Sequence, residues 1–259
     1  MTRVSLCQIS IDHSPKTNLE SVREALAAAP DADLAVFPES TLTRFGKGIL
    51  DRAEPLDGPF VTGLREAARE AGTAIIAGTF VPAGERVSNT AVAIDTDGEL
   101  VAAYRKIHLF DSFGARESDL VEPGDAPVVA ELAGLRVGLI TCYDIRFPEL
   151  ARALVDQGAE AFAVIAAWAG GPFKEEHWVT LNRARAIENT MWTVAVGQPP
   201  HEDGYGVGRS LLIDPLGVTV HDLGPGPAVR TGEIDGRRTE SVRRTLPSLE
   251  HRRLGVTGS

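Results

Sequence analysis

Three reactive side chains stand at or just past the ends of apolar, strand-like runs. Glu39 lies in AVFPES, Lys106 follows LVAAYR, and Cys142 closes LRVGLITC. A thiol, a carboxylate and an ammonium together suffice for acyl transfer. The thiol attacks a carbonyl carbon, the carboxylate takes and returns its proton, and the ammonium stabilises the oxyanion that develops. Each residue alone has a plainer explanation. A lone cysteine in an apolar run is commonly a small buried filler, and Glu39 and Lys106 read equally as solvated groups opening loops.

Other side chains compete for roles or would complete the site. His108 follows Lys106 by two residues, so in an extended segment both point to one face, and Cys–His pairs are a common thiol-hydrolase arrangement. Arg146, four residues after Cys142, suits bidentate recognition of a substrate carboxylate; an ion pair with Glu149 is the open alternative. The backbone N–H of Tyr143 is a second oxyanion donor. Trp168 reads either as a pocket wall or as core. Asp144 is expected to fix the turn after Cys142, His177 to be structural, and Cys7 to be inert in an early buried strand.

These positions need a scaffold that delivers strand ends to one place. Strand-like runs (4–10, 33–40, 73–81, 161–169, 192–198) alternate with helical patterns (18–29, 60–72, from Pro148, 175–190). Hairpins are predicted around Asp97-Gly98, Ala133-Gly134 and Pro215–Gly217. The βαβ pattern recurs in both halves. Its strands are rich in Val, Ile and Ala, which calls for cover on both faces. The expectation is an α/β fold of two packed sheets with helices outside. The Arg-rich segment after Ile234 is expected to form a short surface helix and then fray.

The net charge of −10 over 259 residues disfavours nucleic acid and anionic membranes as partners. No apolar run approaches the ~18 residues of a membrane span, and MTRVSLCQISIDHS lacks a signal-peptide core. Two cysteines do not make a disulfide framework. Reduced thiols and a cytoplasmic location are therefore expected. Neither cysteine has a CxxC partner and the six histidines lack ligand spacing, so no metal is expected. The chemistry of the three groups calls for no organic cofactor.

FPES (37–40), YRKIHLF (104–110) and TCYDIRFPEL (141–150), in that order, resemble the three signatures of the nitrilase superfamily, the carbon–nitrogen hydrolases. ESDLVEPGD (117–125), HW…RARAIEN (177–189) and GRSLLIDPLG (208–217) extend the likeness over nearly the whole chain. The CYDIRFPEL form resembles the amidase branch that includes omega-amidases and deaminated-glutathione amidases. The resemblance implies one domain over 1–259 with a surface or dimer-facing tail from about 236. It implies a four-layer αββα sandwich of two mixed β-sheets. Cys142 would be the nucleophile, Glu39 the general base and Lys106 the catalytic lysine. Glu117 would be a second glutamate supporting Lys106 and substrate. The implied activity is hydrolysis of a small linear amide through a cysteine thioester, releasing ammonia and a carboxylic acid. Nitrile or N-carbamoyl hydrolysis by the same triad is the alternative, and a non-catalytic scaffold is disfavoured by the intact triad. A homodimer or larger homo-oligomer is also implied. Two stretches depart from the commoner family form, IHLFDSFGAR by its length and AWAGGPFKEEHW by its sequence, so the pocket walls are expected to be particular to this chain.

Overall fold

The structure, a computed structural model, describes residues 1–255. Strand β1 (Thr2–Gln8) leads into α1 (Pro15–Ala27), where the Thr17 N–H donates to the Ser14 hydroxyl and Pro15 begins the first turn. Then come β2 (Leu34–Val36), the short α2 (Ile49–Arg52) and α3 (Pro59–Ala71), which stops on Gly72 at φ 63°. β3 (Ala74–Ala83), β4 (Arg86–Ile94) and β5 (Leu100–Arg105) follow as an antiparallel meander. The second half repeats this plan after one added strand, β6 (Val129–Leu132). It runs β7 (Leu135–Thr141), α4 (Pro148–Asp156), β8 (Ala161–Ala166), α5 (Lys174–Asn189), β9 (Trp192–Gly197), β10 (Leu211–Ile213) and β11 (Thr219–Asp222). β12 (Ala228–Ile234) and α6 (Gly236–Thr245) complete the described elements.

Two six-stranded mixed sheets result, ordered β12-β1-β2-β3-β4-β5 and β11-β10-β9-β8-β7-β6. In each, three parallel strands are flanked by antiparallel ones. The alternation of side chains along a strand sorts the core into layers. Val4, Leu6, Leu34, Val36 and Ile76 pack with residues of the second sheet. Their sequence neighbours Cys7, Ala35, Ile75 and Ala77 pack with Val22, Leu26, Leu64 and Ala68 of α1 and α3. Helices α4 and α5 cover the far face of the second sheet through Leu150, Leu154 and Ala186. This is the four-layer αββα sandwich. Both faces of the central strands are apolar because both are covered.

Two points of the fold differ from expectation. β2 stops at Val36 and β8 at Ala166, short of the apolar runs that suggested them; past β2 lie Pro38, which has no N–H to give a ladder, and Ser40 at φ 61°. β12 was not expected; its alternation of Val, Arg, Thr and Glu suits an edge strand, and it pairs antiparallel with β1 from Thr2↔Ile234 to Gln8↔Ala228. The Arg-rich segment after Ile234 forms a short helix, α6, most of whose residues are exposed. α6 buries Thr239 and Val242, and Arg238 pairs with Asp214 at 2.7 Å. The remainder of the predicted tail, residues 256–259, lies outside the described residues.

Candidate active site

Glu39 lies three residues past β2, in a turn clamped to β3. The Gly78 N–H donates to the Pro38 carbonyl at 3.1 Å, and Ser40 adopts φ 61°. The carboxylate is 3% exposed, and every donor on it comes from a different element. Oε1 accepts from Asn89 Nδ2 on β4 at 2.7 Å and from Lys106 Nζ at 3.1 Å; Oε2 accepts from the Ala167 N–H just past β8 at 2.7 Å. Gln198 Nε2 holds the Glu39 carbonyl at 2.8 Å.

Lys106 directly follows β5, and its N–H donates to the Asn89 carbonyl at 2.8 Å. Its ammonium, 2% exposed, is shared between two carboxylates. It lies 3.0 and 2.8 Å from the Glu117 oxygens as well as 3.1 Å from Glu39. Glu117 opens a 3₁₀ turn (Glu117–Asp119), and its Oε2 also accepts from the Phe110 N–H at 2.7 Å. Burial opposes the Lys106 charge, but Glu117 and Glu39 outweigh it and hold its pKa well above the ordinary lysine value. The ammonium is therefore charged throughout the neutral range.

Cys142 begins the 3₁₀ turn Cys142–Arg146 immediately after β7, at φ 50°. A left-handed conformation is uncommon for a residue with a β-carbon and costs of order 1–3 kcal/mol. Asp144 holds the turn. Its carboxylate accepts from the Thr141 N–H at 3.1 Å, the Tyr104 hydroxyl at 2.7 Å and the His108 N–H at 2.9 Å. The Lys106 charge lowers the Cys142 thiol pKa, but it does not decide the net shift. Burial and the Glu39 charge outweigh Lys106 and push Cys142 well above the ordinary thiol value. The resting group is a thiol.

Glu39, Lys106, Glu117 and Cys142 line one cavity of about 200 Å³, with Tyr143, Trp168, Phe110, Phe45 and Tyr205 among its walls. Two candidates lie elsewhere. His108 does not line it, because the chain leaves the extended form after Arg105; its Nδ1 is 2.7 Å from Asp144 and its ring stacks on Phe147 at 3.7 Å. Arg146 is also outside the lining; its guanidinium lies 4.9 Å from the Trp168 ring, and it forms no ion pair with Glu149 among the described residues. Sequence reasoning missed Asn89, the Ala167 N–H and Lys174, which also lines the cavity. Among the described residues no cluster of His, Cys, Asp or Glu is suited to a metal ion, and no helix is long and apolar enough to cross a membrane.

Residues 3–244 match the carbon–nitrogen hydrolase family. The deaminated glutathione amidase of Escherichia coli O157:H7 is 40% identical over 236 residues, covering 89% of this chain and 88% of that one. The crystal structure of XC1258 from Xanthomonas campestris, a CN-hydrolase superfamily protein with an arsenic adduct in its active site, superposes with a TM-score of 0.91 at 29% identity. The match covers 99% of both chains. The amidase of Nesterenkonia sp. AN1, solved with the acetamide moiety of fluoroacetamide covalently added at its active-site cysteine, gives a TM-score of 0.82 at 27% identity. That match covers 96% of each.

Proposed function

The chain belongs to the carbon–nitrogen hydrolase family, and on that premise we propose that it is an amidase that cleaves a small linear amide at Cys142. The observation that carries this reading is the meeting of a buried thiol with a carboxylate–ammonium–carboxylate cluster in one cavity. A hydrolase acting on carbon–nitrogen bonds other than peptide bonds needs a nucleophile, a proton carrier and an oxyanion donor. Each group here fits one of those tasks.

Because the Cys142 thiol is protonated at rest, Glu39 takes its proton as sulfur attacks the amide carbon. The Lys106 ammonium and the Tyr143 N–H stabilise the oxyanion; losing one such donor typically costs about 10²–10³ in rate. Glu39 then protonates the leaving nitrogen, and ammonia departs from a thioester on Cys142. Glu39 next takes a proton from water, which attacks the thioester; the carbon–sulfur bond breaks, the carboxylic acid leaves, and Glu39 returns the proton to the Cys142 sulfur. Glu117 holds Lys106 in place and charged. Trp168 and Tyr143 wall the acyl group. The family resemblance supports a homodimer or larger homo-oligomer, and a cytoplasmic location rests on the reduced-thiol argument alone.

Intact-mass measurement after exposure to a library of simple amides tests the reading. An acyl adduct on Cys142 with ammonia in solution is expected, and Cys142→Ala should abolish both. Turnover of nitriles or N-carbamoyl amino acids without any amide would overturn it.

A further inference from the structure

Asn89, on β4, is 1% exposed and stands between the two carboxylates of the cavity. Its Nδ2 donates to Glu39 Oε1 at 2.7 Å and to Glu117 Oε1 at 3.1 Å. Lys106 Nζ donates to the same two oxygens, at 3.1 and 3.0 Å. The Asn89 carbonyl also accepts the Lys106 N–H at 2.8 Å. One uncharged amide therefore repeats the contacts of the ammonium and ties down the backbone that carries it.

The arrangement is costly for the amide itself. Asn89 Oδ1 is buried and has no hydrogen-bond partner among the described residues, and an orphaned buried acceptor is unfavourable. Flipping the amide brings no relief, because the oxygen would then face two carboxylates, which accept but do not donate. An orphaned buried group calls for an explanation, and here it lies in what the two N–H groups do.

Each carboxylate oxygen offers about two acceptor sites. Glu117 is full. Its Oε1 holds Asn89 and Lys106, and its Oε2 holds Lys106 at 2.8 Å and the Phe110 N–H at 2.7 Å. Glu39 Oε1 is full as well, with Asn89 and Lys106. Glu39 Oε2 accepts one backbone donor, the Ala167 N–H at 2.7 Å, and keeps a site for a further proton. Two glutamates share Lys106, and only Glu39 can take a proton without giving up a donor.

We propose that Asn89 is a positioning residue that closes Oε1 of both glutamates, so that the proton carried during turnover travels on Oε2 of Glu39. This rests on the amide-hydrolase reading of the same site. In the first step the Cys142 S–H bond breaks, its proton goes to Glu39 Oε2, and the sulfur electron pair forms the bond to the amide carbon. Glu117 keeps its full set of donors and holds Lys106 throughout.

The pH profile of kcat/KM for ammonia release tests this, since its acid limb reports the base of the free enzyme. Asn89→Leu, and independently Asn89→Val, remove both donors and add no charge. The charged and titratable groups around Glu39 stay as they are: Lys106, Glu117, Cys142 and Tyr205, with Arg116 and Lys174 farther round the cavity. Losing a hydrogen bond to its charged form makes a carboxylate easier to protonate, so the acid limb is expected to move up by about one pH unit or more. The kcat should fall about tenfold or more, with KM little changed. Asn89→Gln, which keeps an amide, should move the limb less. An acid limb that stays in place in both donor-free variants, or an unchanged kcat, would overturn the proposal. Infrared difference spectra of the Cys142→Ala protein read the same protonation without turnover. The carboxyl band that Glu39→Gln deletes should titrate at higher pH once Asn89→Leu is added, and an unmoved band counts against Asn89. A shifted band without ammonia from any amide keeps the Asn89 assignment and removes the amidase reading; ammonia with limb and band unmoved does the reverse.

Discussion

Gly78 lies so close to Glu39 that a β-carbon added to it would stand 2.7 Å from the Glu39 Cα and 2.5 Å from the Ser40 nitrogen. Both are backbone atoms, which cannot swing aside. Gly78→Ala is therefore expected to displace the Glu39 turn by a fraction of an ångström or more. A misplacement of about 1 Å can cost about 10²-fold in rate, so kcat should fall by that order while circular dichroism stays native. Unchanged kcat would show that the turn is softer than its hydrogen bonds imply.

Lys106 separates two buried carboxylates. Lys106→Met leaves Glu39 and Glu117 facing each other without a cation, and breaking a buried pair in this way costs about 3–5 kcal/mol. Urea unfolding should register the loss. Adding Glu117→Gln removes one of the stranded charges, so the double variant is expected to be more stable than Lys106→Met alone. A double variant that is less stable would mean the two carboxylates do not share the lysine.

The raised pKa of Cys142 has a kinetic signature. A free thiol ionises near about pH 8.5, and Cys142 is shifted upward from its ordinary value. The neutral thiol is then the main form at pH 7, and the thiolate fraction still grows beyond the ordinary thiol range. The rate of alkylation by iodoacetamide should keep rising past about pH 9. Cys142→Ala supplies the blank, since Cys7 is fully buried with its own pKa raised to about 12. A plateau at neutral pH would reveal a preformed thiolate instead.

His108 is a test of base identity. A general base contributes typically 10²–10⁴-fold. Held by Asp144 and stacked on Phe147, His108 is placed to steady the turn after Cys142, so His108→Gln should reduce kcat by less than about tenfold while Glu39→Gln falls in the larger range. The reverse order would exchange their roles.

The strand ends that carry Glu39, Lys106 and Cys142 were readable because each follows an apolar run that stops at a chemically distinct residue. Glu117 was readable only through family likeness, since nothing in RESDL marks it as buried. Asn89 left no trace, because a polar residue in VSNTAVAI reads like any solvent-facing position of a half-covered strand. Ala167 contributes a backbone N–H, which no side chain can announce. His108 and Arg146 misled for a common reason: spacing fixes direction only while the local conformation persists, and both lie just beyond a change of conformation. Lys174 resembled an ordinary first-turn residue of a polar helix, and its burial is set by Phe110 and Phe113 from a loop about 60 residues earlier.

The pairing of β12 with β1 imposes a timetable on synthesis. The second sheet is built from consecutive strands between Val129 and Asp222. The first sheet has an open edge along β1 until Ala228–Ile234 emerges. A nascent chain thus carries Glu39, Lys106 and Cys142 on nearly finished scaffolds while one backbone edge is still unpaired. Such edges invite pairing with other chains, and domain-sized intermediates are most aggregation-prone while they persist. The strand that carries none of these three residues is the one whose late arrival ends that exposure.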